Sequence, residues 1–209
     1  MPGIDLYTVY FEAERIPFDE ASARKYLKLG STSEDREALL EVCRALYRKY
    51  IHIFSPALRY GTFNITEKDP ERFRIKFNEG SSFSGKGIFR LLKDCEMASL
   101  YLITLGEEAD SVIRRLEAED FLEGYMLNAA ASSLIEQIQV EAQSLIQKEA
   151  KKKGLHPGKR FSPGYRGWDL QEQETLILML QGGDLGIHLT ETYLMLPMKS
   201  VSGVYGLKR

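Results

Sequence analysis

Cysteine is scarce in this chain of 209 residues, with only Cys43 and Cys95. A secreted disulfide framework needs more pairs than that. Both thiols sit in apolar surroundings, so two small buried side chains in a reducing compartment are expected. Histidine is as thin: His52, His156 and His188 lie far apart, and none has a second His, Cys or carboxylate at ligand spacing, which argues against metal chemistry. No stretch approaches the roughly 18 uninterrupted apolar residues of a membrane span, and the start MPGIDLYTVYFEAER lacks the basic head and apolar core of a leader. A cytoplasmic protein with no membrane partner is expected. Charge of one sign is not in excess either: 28 Lys and Arg against 30 Asp and Glu leave −2, too balanced for tracking phosphates by charge, so no nucleic-acid partner is expected.

What the chain does have is apolar material, 44% of residues against 28% charged. That suffices for a core without staples, and the length fits one domain of ordinary size. Residues 4–11 (IDLYTVYF) read as a strand, and Asp19 to Leu29 as a short helix ended by Gly30. Ser31 and Glu34 have capping-box spacing. They precede a stripe of Leu39, Leu40, Cys43, Leu46, Tyr47 and Tyr50 that marks a core-facing helix, stopped at Ser55-Pro56. In ERFRIKFNEG, Phe73, Ile75 and Phe77 alternate with Arg72, Arg74 and Lys76, the pattern of a half-buried antiparallel strand. Its expected partner is residues 58–65, across a turn at Lys68, Asp69 and Pro70.

MASLYLITL (97–105) is apolar on both faces and is expected at the centre of the sheet. A breaker-poor segment from about Asp120 to Lys153 reads as a long helix with a ridge of Leu127, Ala131, Leu134, Ile138, Ala142, Leu145 and Ile146, closed by Gly154. A helix near 171–181 and the segment SVSGVYG complete the chain. The expected fold class is α+β: a single domain with an antiparallel or mixed sheet, one long helix and several shorter helices.

Two glycine-rich segments invite a functional reading. GSSFSGKG (80–87) holds Gly80, Gly85 and Lys86 at phosphate-loop spacing, but Gly87 stands where a Ser or Thr hydroxyl is required and the preceding strand is amphipathic. It reads as a flexible turn after a short strand. The basic run Lys151, Lys152, Lys153, Lys159 and Arg160 has the composition of a solvated helix end. RFSPGYRGW (160–168) is denser in chemistry and irregular by composition. Pro163 and Gly164 predict a type II turn that bares backbone groups, and Arg160 and Tyr165 bracket it with a permanent cation and a flat ring. This suits an amino-acid carboxylate beside a planar base. The bland alternative is an irregular connection with Tyr165 and Trp168 plugging the core.

RFSPGY, the acidic-apolar helix after it and GIHLTETYLMLPMKSVSGVYG together resemble the activation domain of vitamin B12-dependent methionine synthase. The resemblance covers roughly residues 97–206. It implies an amino-terminal α+β segment of weak likeness, 1–95, and an activation-like region, 96–209, in the same compact domain. In that family an Arg-x-x-x-Gly-Tyr signature binds S-adenosylmethionine. Here it reads Arg160, Gly164 and Tyr165, with Ser162 contributing backbone contacts, and a later segment reads Ser202, Gly203, Val204, Tyr205. The resemblance further implies ligand contacts at Tyr205 and Gly206, with Tyr205 facing the corrin. It also implies a carboxylate at Glu136 that offsets cationic charge or orients Arg160. For the family's amino-terminal Asp, Asp5 is only a loose candidate.

No cobalamin or homocysteine domain fits in this length, so a free-standing, accessory version of the module is expected. By the resemblance, it would bind S-adenosylmethionine as methyl donor for reductive methylation of inactive cob(II)alamin. The cobalamin would come from a partner methionine synthase or related corrinoid protein, with a flavodoxin-type protein as candidate electron donor. No residue is required as acid, base or nucleophile, and no metal ligand is assigned. Two other readings stay open: an S-adenosylmethionine-binding accessory of another corrinoid methyltransferase, and an interaction protein that has lost the ligand.

Overall fold

A computed structural model describes residues 5–27 and 34–209. The expected cap at Ser31 and helix stop at Gly30 fall outside those residues. Strand β1 (Leu6–Tyr10) is followed by α1 (Glu20–Tyr26), whose first turn is capped by the Asp19 carboxylate accepting from the Ala21 and Ser22 amides. Helix α2 (Glu34–Tyr50) buries Leu40, Cys43, Leu46 and Tyr47, the stripe that three- and four-residue spacing dictates.

Strand β2 (Ala57–Asp69) is 13 residues long and serves three neighbours. Its first part pairs antiparallel with β1 on one side, Leu6 opposite Gly61, and on the other with β5 (Met97–Thr104), Tyr60 opposite Tyr101. Only its last residues, from Ile65 to Asp69, pair with β3 (Arg74–Phe77). The expected partner of β3 is therefore displaced toward the end of β2, and the reversal occupies residues 70–73. Phe73 does not share the inward face of Ile75 and Phe77. It lies in the reversal with φ 49° and packs edge-on against Phe89.

The 80–87 segment is not a flexible turn. Ser82–Ser84 forms β4, paired with β3, and Gly85, at φ 136°, opens α3 (Lys86–Leu92). The Gly85 amide donates to Phe73 O and the Gly87 amide to Gly167 O, so these donors face protein rather than phosphate.

Helices α4 (Glu107–Glu119) and α5 (Phe121–Lys152) meet at Asp120, which ends the first and caps the second through Leu122 and Glu123 amides. Gly124 then lets α5 pass against the Glu117 backbone, where a Cβ would collide. Strand β6 (His156–Phe161), α6 (Gln173–Met179), the two-residue strands β7 (His188–Leu189) and β8 (Met195–Leu196), and β9 (Ser200–Lys208) complete the chain.

The main sheet runs β4-β3-β2-β5-β9-β6, with β1 alongside β2, and β5 sits centrally as its two apolar faces require. Tyr101 and Ile103 face a core built with α1, α2, α4 and α5. Leu100 and Leu102 face a second core with α3, α6 and Trp168. The fold is α+β, with six helices among the described residues and an antiparallel sheet. No described helix is long and apolar enough to cross a membrane.

Because Asp120 supplies the cap at the junction of two helices, Asp120→Ala should lower stability by about 1 kcal/mol, read as a fall in the urea midpoint with an unchanged slope.

Candidate functional site

The site forms where the sheet runs out. Strand β6 pairs with β9 by Arg160 opposite Tyr205 and Phe161 opposite Val204, so both Arg160 and Phe161 belong to regular strand rather than an irregular connection. At Ser162 the chain departs, and the Ser162 hydroxyl donates to Ser202 O at 2.7 Å as a last tie. Residues Ser200 to Ser202 are left at an edge without a β6 partner.

Pro163 and Gly164 then turn the chain, Gly164 at φ 87°, the left-handed geometry that favours glycine. The Gly164 amide donates to Trp168 O at 2.7 Å and the Trp168 amide to Tyr165 O at 3.1 Å, closing a small loop. Trp168, 1% exposed, is its anchor, stacked on Phe161 and edge-on to Phe83. Tyr165 does the opposite: it is 66% exposed and plugs no core.

Between this loop, the open end of β9, α1 and α5 lies a pocket of about 690 Å³, within the usual size range for small-molecule sites. It brings together Glu136, Arg160, Ser162 and Tyr165. Gly164 shapes the turn between two lining residues. Tyr205 and Gly206 lie outside the lining. The Tyr205 ring is 2% exposed and tilts against Tyr101, so it faces the core and not a partner, and Gly206 packs against Cys95 and Leu92. Asp5 precedes β1, separated from β9 by β2 and β5, and is far from the pocket.

Arg160 and Glu136 are not partners. Among the described residues Arg160 makes no ion pair, and its guanidinium donates to the neutral Gln139 Oε1, one turn along α5 from Glu136. Glu136 accepts from Lys25 Nζ at 2.7 Å, Tyr26 Oη at 2.7 Å and Ser22 Oγ at 3.1 Å, clamping α1 to α5. Burial alone would raise its carboxyl, but these donors outweigh burial and hold it below its ordinary value. Burial and the same carboxylate push Tyr26 up to about 12.

Sequence reasoning missed Lys25, Tyr26, Gln139 and Gln173. Gln139 could have been found, since it shares the helix face of Glu136 by its three-residue spacing. Gln173, buried at the pocket's rear, accepts from Ser202 Oγ and donates to Tyr193 O. Nothing in its surroundings along the chain announced it. Among the described residues no three His, Cys, Asp or Glu side chains gather.

A family model described as the vitamin B12 dependent methionine synthase activation domain matches residues 95–208, more than half of the chain. The chain belongs to this family. The activation-domain fold is also seen in a solved structure described as the MetH reactivation domain bound to AdoHcy. That structure superposes with a TM-score of 0.75 at 15% identity, over 97% of this chain and 78% of that one. No curated protein matches by sequence. The match to the activation-domain family begins at the central strand β5 and takes in the long helix, the 160–168 loop and β9.

The sign of the Glu136 shift fixes a pH dependence. A carboxyl with its folded pKa depressed stabilises the native state above its unfolded value and loses that contribution as pH falls through the folded one. Wild-type melting temperature should therefore fall below about pH 4.5, and Glu136→Gln should flatten that acid limb in melts run from pH 6 downward.

Proposed function

We propose that this chain is an S-adenosylmethionine-binding reactivation module, an accessory to a cobalamin-dependent methionine synthase rather than a self-contained enzyme. The observation that carries this reading is one pocket wall presenting an exposed guanidinium held only by a neutral amide, a bared turn and an exposed phenol ring. Family membership and the nucleoside-bound structure of like fold support it.

In this reading Arg160 pairs with the ligand's carboxylate, the strong charge-assisted kind of hydrogen bond. Tyr165 offers a face to the adenine, and backbone groups around Ser162 and Gly164 hold the nucleoside. Glu136, kept ionised by its α1 donors, offers its remaining acceptor capacity to the ligand's cationic end. Tyr205 and Gly206 act from beneath, by fixing the strand that carries Arg160. When bound, the nucleoside would supply an electrophilic methyl group to the partner's cobalamin.

The protein's own work is to orient the ligand and to shield it, which demands no acid, base or nucleophile. The partners are then a cobalamin-carrying methionine synthase and an electron donor of flavodoxin type, in the cytoplasm. Residues 1–95 and 96–209 act as one unit, because β2 from the first is hydrogen-bonded along β5 of the second.

Calorimetric titration tests the reading. S-adenosylmethionine should bind wild-type protein, and Arg160→Ala should weaken it about 10- to 150-fold, the effect of losing a charged hydrogen bond, while the melting temperature stays put. No heat at millimolar ligand would overturn the proposal, and equal loss of stability and affinity would make Arg160 structural.

A further inference from the structure

Beside the pocket, Tyr101 carries a buried hydroxyl whose chemistry the fold leaves unexplained. It projects from β5 across β9, and its ring needs glycine beneath it: a Cβ on Gly203 would lie 2.5 Å from the phenol oxygen and 2.7 Å from two ring carbons. This accounts for the glycine in the Ser-Gly-x-Tyr segment. The side chain is 1% exposed, yet its hydroxyl makes no hydrogen bond. Such a buried orphan carries a desolvation cost that a phenylalanine of the same shape would avoid.

The hydroxyl does not point into empty hydrocarbon. Ser162 lies beyond Gly203 across the edge of β9, and Arg160 precedes it by two residues on the same side. Both are the phenol's polar neighbours, and burial pushes its pKa up against their influence, so it stays protonated. The Ser162 hydroxyl already spends its proton on Ser202 O, leaving lone pairs to accept. Arg160 in turn spends one N–H on Gln139 and has others in hand.

We propose that Tyr101 is a positioning residue for Arg160: its phenol oxygen accepts a guanidinium N–H, and its proton goes to Ser162 Oγ, when Arg160 turns from Gln139 onto a ligand carboxylate. The phenol fixes the angle of the guanidinium fork from behind, a task for which a rigid, buried, two-sided hydroxyl is suited and phenylalanine is not. This inference rests on the nucleoside reading above.

Titration of S-adenosylhomocysteine and of methylthioadenosine, which shares the nucleoside but lacks the amino-acid end, tests it in wild type, Tyr101→Phe, Arg160→Ala and the double variant. Tyr101→Phe should weaken S-adenosylhomocysteine about 2- to 12-fold, the span of one ordinary hydrogen bond. It should leave methylthioadenosine unchanged and add nothing once Arg160 is alanine. Its melting temperature should equal or exceed wild type, since an unpaired buried hydroxyl is removed. A Tyr101→Phe protein that binds S-adenosylhomocysteine as wild type does, loses both ligands alike, or shows additive losses overturns the role of Tyr101 alone. A wild type that binds neither nucleoside overturns the proposed function and this inference with it.

Discussion

The pocket exists because β9 is longer than its last neighbour. Eight of the nine residues of β9 pair with β5 along one side, but on the other β6 accompanies only the later part, from Val204 on. Had β6 continued, its side chains would cover the stretch from Ser200 to Ser202. Instead one hydroxyl, from Ser162, closes the ladder at Ser202 O, and the chain swings clear. The void is then walled by the two helices above and the loop beside it.

A loop in that position would be loose if only its own hydrogen bonds held it. Two apolar-side constraints prevent this. Trp168 fills a slot between Phe83 and Phe161, and the Gly167 carbonyl accepts from Gly87 at the start of α3. Glycine at 85 and 87 permits that close approach, since a Cβ at either would strike the backbone of Gly167 or Arg166. The segment that resembles a phosphate loop is thus the bracket that supports the 160–168 turn. Rigid elements on every side of a site are what hold its polar groups within the tolerances binding requires.

Periodicity made much of the fold legible. The two-faced apolar run became the central strand, and the ridge from Leu127 to Ile146 became the long helix, because burial selects side chains by face. Spacing failed where backbone geometry decided instead. Phe73 continues the alternation of Ile75 and Phe77, yet it sits in a reversal at positive φ, which no side-chain pattern reports. The pairing of β3 slid along β2 because a strand of 13 residues offers several registers and neighbours compete for each.

In the site, Arg160, Ser162 and Tyr165 were legible as one local turn, and Glu136 through family likeness. The side chains that engage them were not. Lys25 and Tyr26, which hold Glu136, come from a helix remote in sequence, and only the folded chain tells which of two acceptors on α5 takes the guanidinium. The inward face of Tyr205 follows from strand alternation on β9, where it shares a side with Gly203 and Leu207.

The clamp on Glu136 has an electrical outcome. Its charge is largely offset by the Lys25 ammonium, while Lys159, Arg160 and Arg166 at the same cavity have no acidic counterpart among the described residues. The opening therefore carries a surplus positive field, which draws in an approaching molecule by its most negative end. On the proposed function, a zwitterionic nucleoside arriving from solvent would be turned before contact, carboxylate foremost, with its base trailing toward the exposed ring of Tyr165.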